Sequence, residues 1–143
     1  MSKIHFPYDI YEDRCPTRQV LERLADKWVL LILDRLEDGP VRFNVLKRDI
    51  KPITQKVLTE TLRKLERDGL VARHVKPTSP ISVEYELTPL GSTLTKTVSA
   101  FAHWAEENID AVLLAQATYD ANSQVAEAAE TTIKRAGDTR PRN

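Results

Sequence analysis

Thr54-Gln55-Lys56-Val57-Leu58-Thr59-Glu60-Thr61-Leu62-Arg63-Lys64-Leu65-Glu66-Arg67-Asp68-Gly69 is the stretch on which the reading of the fold turns. Val57, Leu58, Leu62 and Leu65 recur at helical spacing and form one apolar stripe, which leaves Gln55, Lys56, Thr59, Arg63 and Lys64 on the other faces. Thr54 is a good N-cap, Ile53 and Leu58 stand where a hydrophobic staple would pack, and Pro52 disfavours an earlier helical start. Asp68-Gly69 ends the run, because glycine reaches the left-handed conformation of a C′ residue without a Cβ penalty. The spacing therefore predicts a helix from Gln55 to Arg67.

Outward from this helix the signals change period. Ser82 to Leu87 alternates polar and apolar residues, Leu70 to Val75 is β-compatible, and Pro77, Thr78, Ser79 and Pro80 separate them, so a β-hairpin with a short wing is expected. Thr88-Pro89 then sets an N-cap and an N1 proline, the start expected for a long helix. Upstream, Thr17 to Ala25 carries Val20, Leu21 and Leu24 on one face, and Trp28 to Leu36 is a nearly continuous apolar run stopped by Asp38-Gly39-Pro40. Phe43 to Ile50 gives a further short helix with Phe43, Leu46 and Ile50 inward, and Lys51-Pro52-Ile53 turns into the basic helix. The expected fold is mainly α with a small β-hairpin, a winged helix-turn-helix whose basic helix, about 20 Å long, suits a DNA major groove.

Composition permits this and sets limits. A chain of 143 residues with 41% apolar content can bury the core of one domain. It has no apolar run of membrane-spanning length and no basic, apolar leader, so a cytoplasmic location is the expectation. One cysteine excludes an intramolecular disulfide framework, and His5, His74 and His103 lack ligand spacing, so no metal site and no cofactor is expected. The net charge is zero, yet residues 40 to 90 hold ten Lys/Arg against six Asp/Glu, while residues 1 to 39 hold six against eight and residues 91 to 143 five against seven. Positive charge is concentrated around the basic helix, as nucleic-acid binding would require.

Cys15-Pro16, Ala25-Asp26-Lys27-Trp28, Arg42-Phe43, Gln55 to Thr59, Leu62 to Val71, Glu84 to Thr88, Gly91 and Trp104 together resemble the HxlR-type winged helix-turn-helix regulators, relatives of the MarR class, over roughly residues 14 to 110. The resemblance implies a homodimeric bacterial or archaeal transcription factor, joined through its N-terminal helix and the long helix after the wing. Within it, Gln55, Thr59 and Arg63 share one face at i, i+4 and i+8, and Gln55, Lys56 and Thr59 are assigned to base edges. Arg63 is assigned to base or phosphate, Thr54 chiefly to the cap, and Arg42, Arg73, His74 and Lys76 to phosphate or the minor groove. For Arg63 and Lys76 a merely solvated charge stays open as the other reading.

Cys15 precedes an N1 proline, so its thiol is expected beside a helix N-cap, where the dipole and Arg14 or Arg18 favour thiolate. Several members of the resembled family sense oxidants or electrophiles through a cysteine there; the other reading is a small packing residue. The stripe Leu90, Leu94, Val98, Phe101, Ala105 and Ile109, flanked by Thr97 and Trp104, needs a partner. A two-fold dimer follows as an expectation, with Val20, Leu24, Leu94, Val98, Phe101 and Trp104 at its interface and double-stranded DNA carrying an inverted repeat as its target. The expected divisions are an arm at 1–13, the winged-helix domain with its dimerisation helices at 14–110, a helical extension at 111–136 and a disordered tail at 137–143. Two other functions stand beside a regulator, probed by different tests. One is a winged helix that binds an acidic protein, and the other a thiol enzyme at Cys15, for which the sequence offers no positioned base.

Overall fold

A computed structural model describes residues 8–138. The first seven residues of the expected arm, with His5, and residues 139–143 of the expected tail lie outside the described residues. The elements run α1 (Pro16–Leu24), α2 (Lys27–Leu36), β1 (Val41–Arg42), α3 (Phe43–Asp49), α4 (Gln55–Arg67), β2 (Val71–Lys76), β3 (Ser82–Leu87), α5 (Pro89–Ser92) and α6 (Thr95–Gly137). The chain divides into two compact units, one up to Ala100 and one from Phe101.

In the first unit the core is built where the apolar stripes meet. Val29, Ile32, Leu33 and Leu36 of α2 are buried with Leu46 of α3, Leu58, Leu62 and Leu65 of α4, Val71 of β2, Tyr85 of β3 and Val98. Each fully buried leucine or isoleucine contributes about 1.5–3 kcal/mol, so this cluster is the main stabilising force of the unit. Asp26 caps α2 by accepting from the Trp28 and Val29 amides, and Thr54 caps α4 by accepting from the Val57 amide at 3.2 Å. Ile53 and Leu58 are both buried at the start of α4, as a staple requires. Thr61 is buried on α4, and its hydroxyl donates to the Val57 carbonyl at 2.7 Å.

The wing differs from a plain hairpin. β1 pairs antiparallel with β3, so the sheet has three strands in the order β1-β3-β2, with Val41 opposite Tyr85 and Val71 opposite Leu87. A two-residue strand is too short to show a period, which hid it in the sequence. β2 runs from Val71 to Lys76, one residue later than expected. At the corner between α4 and β2, Gly69 has φ of 75°, and the Leu70 amide donates back to the Leu65 carbonyl at 3.0 Å, the closing bond of a helix-ending turn.

The helix expected from Pro89 is interrupted. α5 ends at Ser92 and α6 starts at Thr95, with the Thr93 and Leu94 amides donating to the Leu90 and Gly91 carbonyls in tighter three-residue turns. Gly91 packs against the Leu70 carbonyl so closely that a Cβ there would lie 2.1 Å from the oxygen. The break also divides the expected stripe: Leu90 is exposed, Leu94 half-buried and Val98 buried in its own core. α6 then continues through the second unit to Gly137, where Phe101, Trp104, Ile109, Tyr119 and Ile133 are exposed.

Candidate nucleic-acid interface

Because the stripe of α4 is buried in its own unit, the remaining faces of the helix are left for solvent or another molecule. Gln55, Lys56 and Arg63 are exposed and Thr59 is half-buried, and together with Glu60 they line a shallow groove of about 440 Å³. Thr59 and Arg63 also border a larger cleft of about 930 Å³, between α4, the start of α3 and the wing. Arg42, Asn44 and Arg73 stand on its walls, and Phe43 and Tyr85, with ring centroids 6.5 Å apart, lie on its floor. Arg42, Lys56, Arg63 and Arg73 make no ion pair among the described residues, so their donors are free for an anion. One acidic side chain, Glu66, lines the cleft against three guanidinium groups.

His74 and Lys76 differ from this set. His74 Nε2 lies 2.6 Å from Glu86 Oε1, and Lys76 Nζ lies 3.0 Å from Glu84 Oε2, both across the β2–β3 ladder. These diagonal pairs occupy the two side chains that sequence reasoning assigned to DNA, because cross-strand register cannot be read from a single strand. Asn44 and the wing residues Thr78 and Ser79 were not singled out, yet they line the cleft with Arg42 and Arg73. Their only sequence signal is proximity to Arg42 and to the proline-bounded loop.

The first helix of the helix-turn-helix, α3, is tied to α2 by charge as well as by packing. Asp49 on α3 accepts from Arg35 Nε of α2 at 2.9 Å and from Arg48 Nε at 3.1 Å. These hydrogen bonds, that of Arg35 foremost, hold its carboxyl below the usual value of 3.8.

At the other end of the unit, Cys15 is the N-cap of α1, with Pro16 at N1, but its side chain makes no cap hydrogen bond and only 7% of the residue is exposed. Arg18, expected to favour a thiolate, is engaged by Glu22 at 3.2 Å and by the Tyr11 carbonyl at 3.1 Å. Asp9, Glu12, Asp13 and Arg14 line the same surface depression as Cys15. Of the side chains assigned to a dimer interface, Val20, Phe101 and Trp104 are 43%, 66% and 60% exposed, Leu24 and Leu94 are half-buried, and Val98 is buried. His74 pairs on the wing and His103 lies 3.9 Å from Glu106 along α6, while no group of three or more potential metal ligands occurs among the described residues.

Comparison with known proteins points the same way. Residues 23–112 match the family model described as HxlR-like helix-turn-helix. The HTH-type transcriptional regulator YtfH of Escherichia coli K12 is 40% identical over 105 residues, which span 73% of this chain and 83% of that protein. YdeP of Bacillus subtilis strain 168, also an HTH-type transcriptional regulator, is 35% identical over 122 residues, 85% of this chain and 94% of the other. Among solved structures, ytfH of Salmonella typhimurium, described as a transcriptional regulator, superposes with a TM-score of 0.73 at 38% identity, covering 76% of this chain and 97% of its own. The oxidised form of the redox regulator HypR gives a TM-score of 0.61 at 40% identity over 66% of this chain and 97% of its own. Those relatives are transcriptional regulators rather than enzymes, and their winged-helix fold is the one built here from α2, α3, α4 and the three-stranded wing. The chain belongs to the HxlR-like helix-turn-helix family of transcriptional regulators.

Proposed function

We propose that this regulator binds DNA sequence-specifically as a homodimer on an inverted-repeat operator and represses transcription there, in the cytoplasm. The observation that carries the reading is the face of α4: Gln55, Lys56, Thr59 and Arg63 stand clear of the core beside a cleft whose three guanidinium groups lack acidic partners. Gln55 suits a bidentate contact to adenine and Arg63 a contact to guanine or phosphate, while Arg42 and Arg73 suit phosphates on either side. The exposed Val20 of α1 and the exposed Phe101 and Trp104 of α6 support a second copy as partner. A two-fold pair would present its α4 helices to major grooves about 34–36 Å apart.

A second reading adds an oxidant input at Cys15, supported by the likeness to HypR, a redox regulator. The cysteine is free and largely buried, and it lines a surface depression from which a small oxidant could approach.

Titration of the chain's own upstream DNA and of a random duplex at rising salt tests both readings. The regulator reading expects preference for the upstream DNA and, with six to ten phosphate contacts, a loss of roughly 10³–10⁵ in affinity between 50 and 200 mM salt. Equal, weak binding to both duplexes would favour a protein-binding winged helix instead. An oxidant that shifts operator affinity in the wild type but not in Cys15→Ala supports sensing; an identical response in both excludes it.

A further inference from the structure

We propose that Arg23 is a positioning residue for DNA reading: its ion pair with Asp68 ties α1 to the far end of α4, so that the placement of α1 sets operator affinity. This rests on the reading of α4 given above. Asp68 follows the last residue of α4, and a carboxylate at a helix C-terminus has the wrong sign for the helix dipole. The last turn of α4 carries Lys64 and Arg67, but the cation that pairs with Asp68 is Arg23 in the last turn of α1, with its Nη1 2.5 and 2.6 Å from the two carboxylate oxygens. The side chains are 26% and 18% exposed, so the pair is partly withdrawn from water and less screened than a surface pair.

The corner it grips has little slack. The Leu70 amide closes on Leu65, the Thr88 hydroxyl donates to the Gly69 carbonyl, and Gly91 packs against the Leu70 carbonyl. Gln55 lies at the opposite end of the helix, thirteen residues away counting both termini of α4. At 1.5 Å per residue, a tilt of about 5° about the Asp68 corner moves the Gln55 end by roughly 1.6 Å. A bidentate base contact tolerates only a few tenths of an ångström, so such a tilt breaks it. α1 itself is weakly held: none of its residues is buried, and Val20 and Leu21 remain 43% and 52% exposed. A second copy pressing on those side chains, or a change at the Cys15 end of the same helix, is thereby passed through Arg23 to α4.

The test compares Arg23→Gln, Asp68→Asn, Arg23→Lys and the exchange Arg23→Asp with Asp68→Arg in the full chain, by anisotropy with operator and random duplexes and by thermal melting. The proposal expects about a tenfold loss of operator affinity in either neutral variant, random-duplex affinity within about twofold, and recovery of most of the loss in the exchange. If a neutral variant fails to fold, Arg23→Lys, which keeps the charge and loses the planar fork, must show a smaller loss in the same ratio. An unchanged operator-to-random ratio in the variants overturns the proposal whatever happens to the melting temperature. A wild type with no operator preference overturns the regulator reading and this proposal together, which separates the two failures.

Discussion

α4 and α1 are short amphipathic helices of one compact unit, yet α4 buries Leu58, Thr61, Leu62 and Leu65 whereas α1 buries none of its residues. The difference lies in where each apolar stripe ends up. That of α4 is satisfied by α2 and the wing of its own chain, which frees the polar face for an outside molecule. That of α1 is satisfied only in part: Leu24 packs against the core while Val20 and Leu21 stay exposed, the apolar surface on which the proposed second copy would dock. One helix is finished by folding, and the other would be completed by the proposed second copy.

Substitution can break this contrast. Leu62, 1% exposed, is the centre of the finished helix, so Leu62→Ala should cost about 2–5 kcal/mol in urea denaturation, with the polar face of α4 losing its support. A cost below 1 kcal/mol would mean that α4 is not anchored by its stripe. Val20→Glu should behave oppositely. The stability of the separate chain should stay within about 0.5 kcal/mol, while sedimentation shows association of two copies weakened by about tenfold or more. A loss of chain stability matching that of Leu62→Ala would erase the distinction between the helices.

What was legible in the sequence follows the same division. α4 was readable to its last residue because its cap, staple, stripe and glycine stop agree, and its exposed face follows from the stripe by geometry. Long-range pairings were not readable. β1 is two residues long, the interruption between α5 and α6 depends on Gly91 meeting a carbonyl of another element, and His74 and Lys76 are occupied by glutamates across the wing. Arg23 carries no signal of its role in the sequence, since its partner is 45 residues away. The surroundings of Cys15 were hidden for a related reason: Arg18 is engaged by Glu22 and the Tyr11 carbonyl, and Arg14 lines the depression around the cysteine together with Asp9, Glu12 and Asp13.

The central claim is that the exposed face of α4 reads sequence rather than merely charge, and Gln55→Ala tests it most directly. Gln55 is uncharged, exposed and outside the core, so its removal leaves both the fold and the arginine cleft in place. Measured on operator and random duplexes at one salt concentration, the variant should lose about 1–3 kcal/mol of operator affinity, a factor of roughly ten to a hundred, with random-duplex binding unchanged. An equal loss on both duplexes, or none on either, would contradict it.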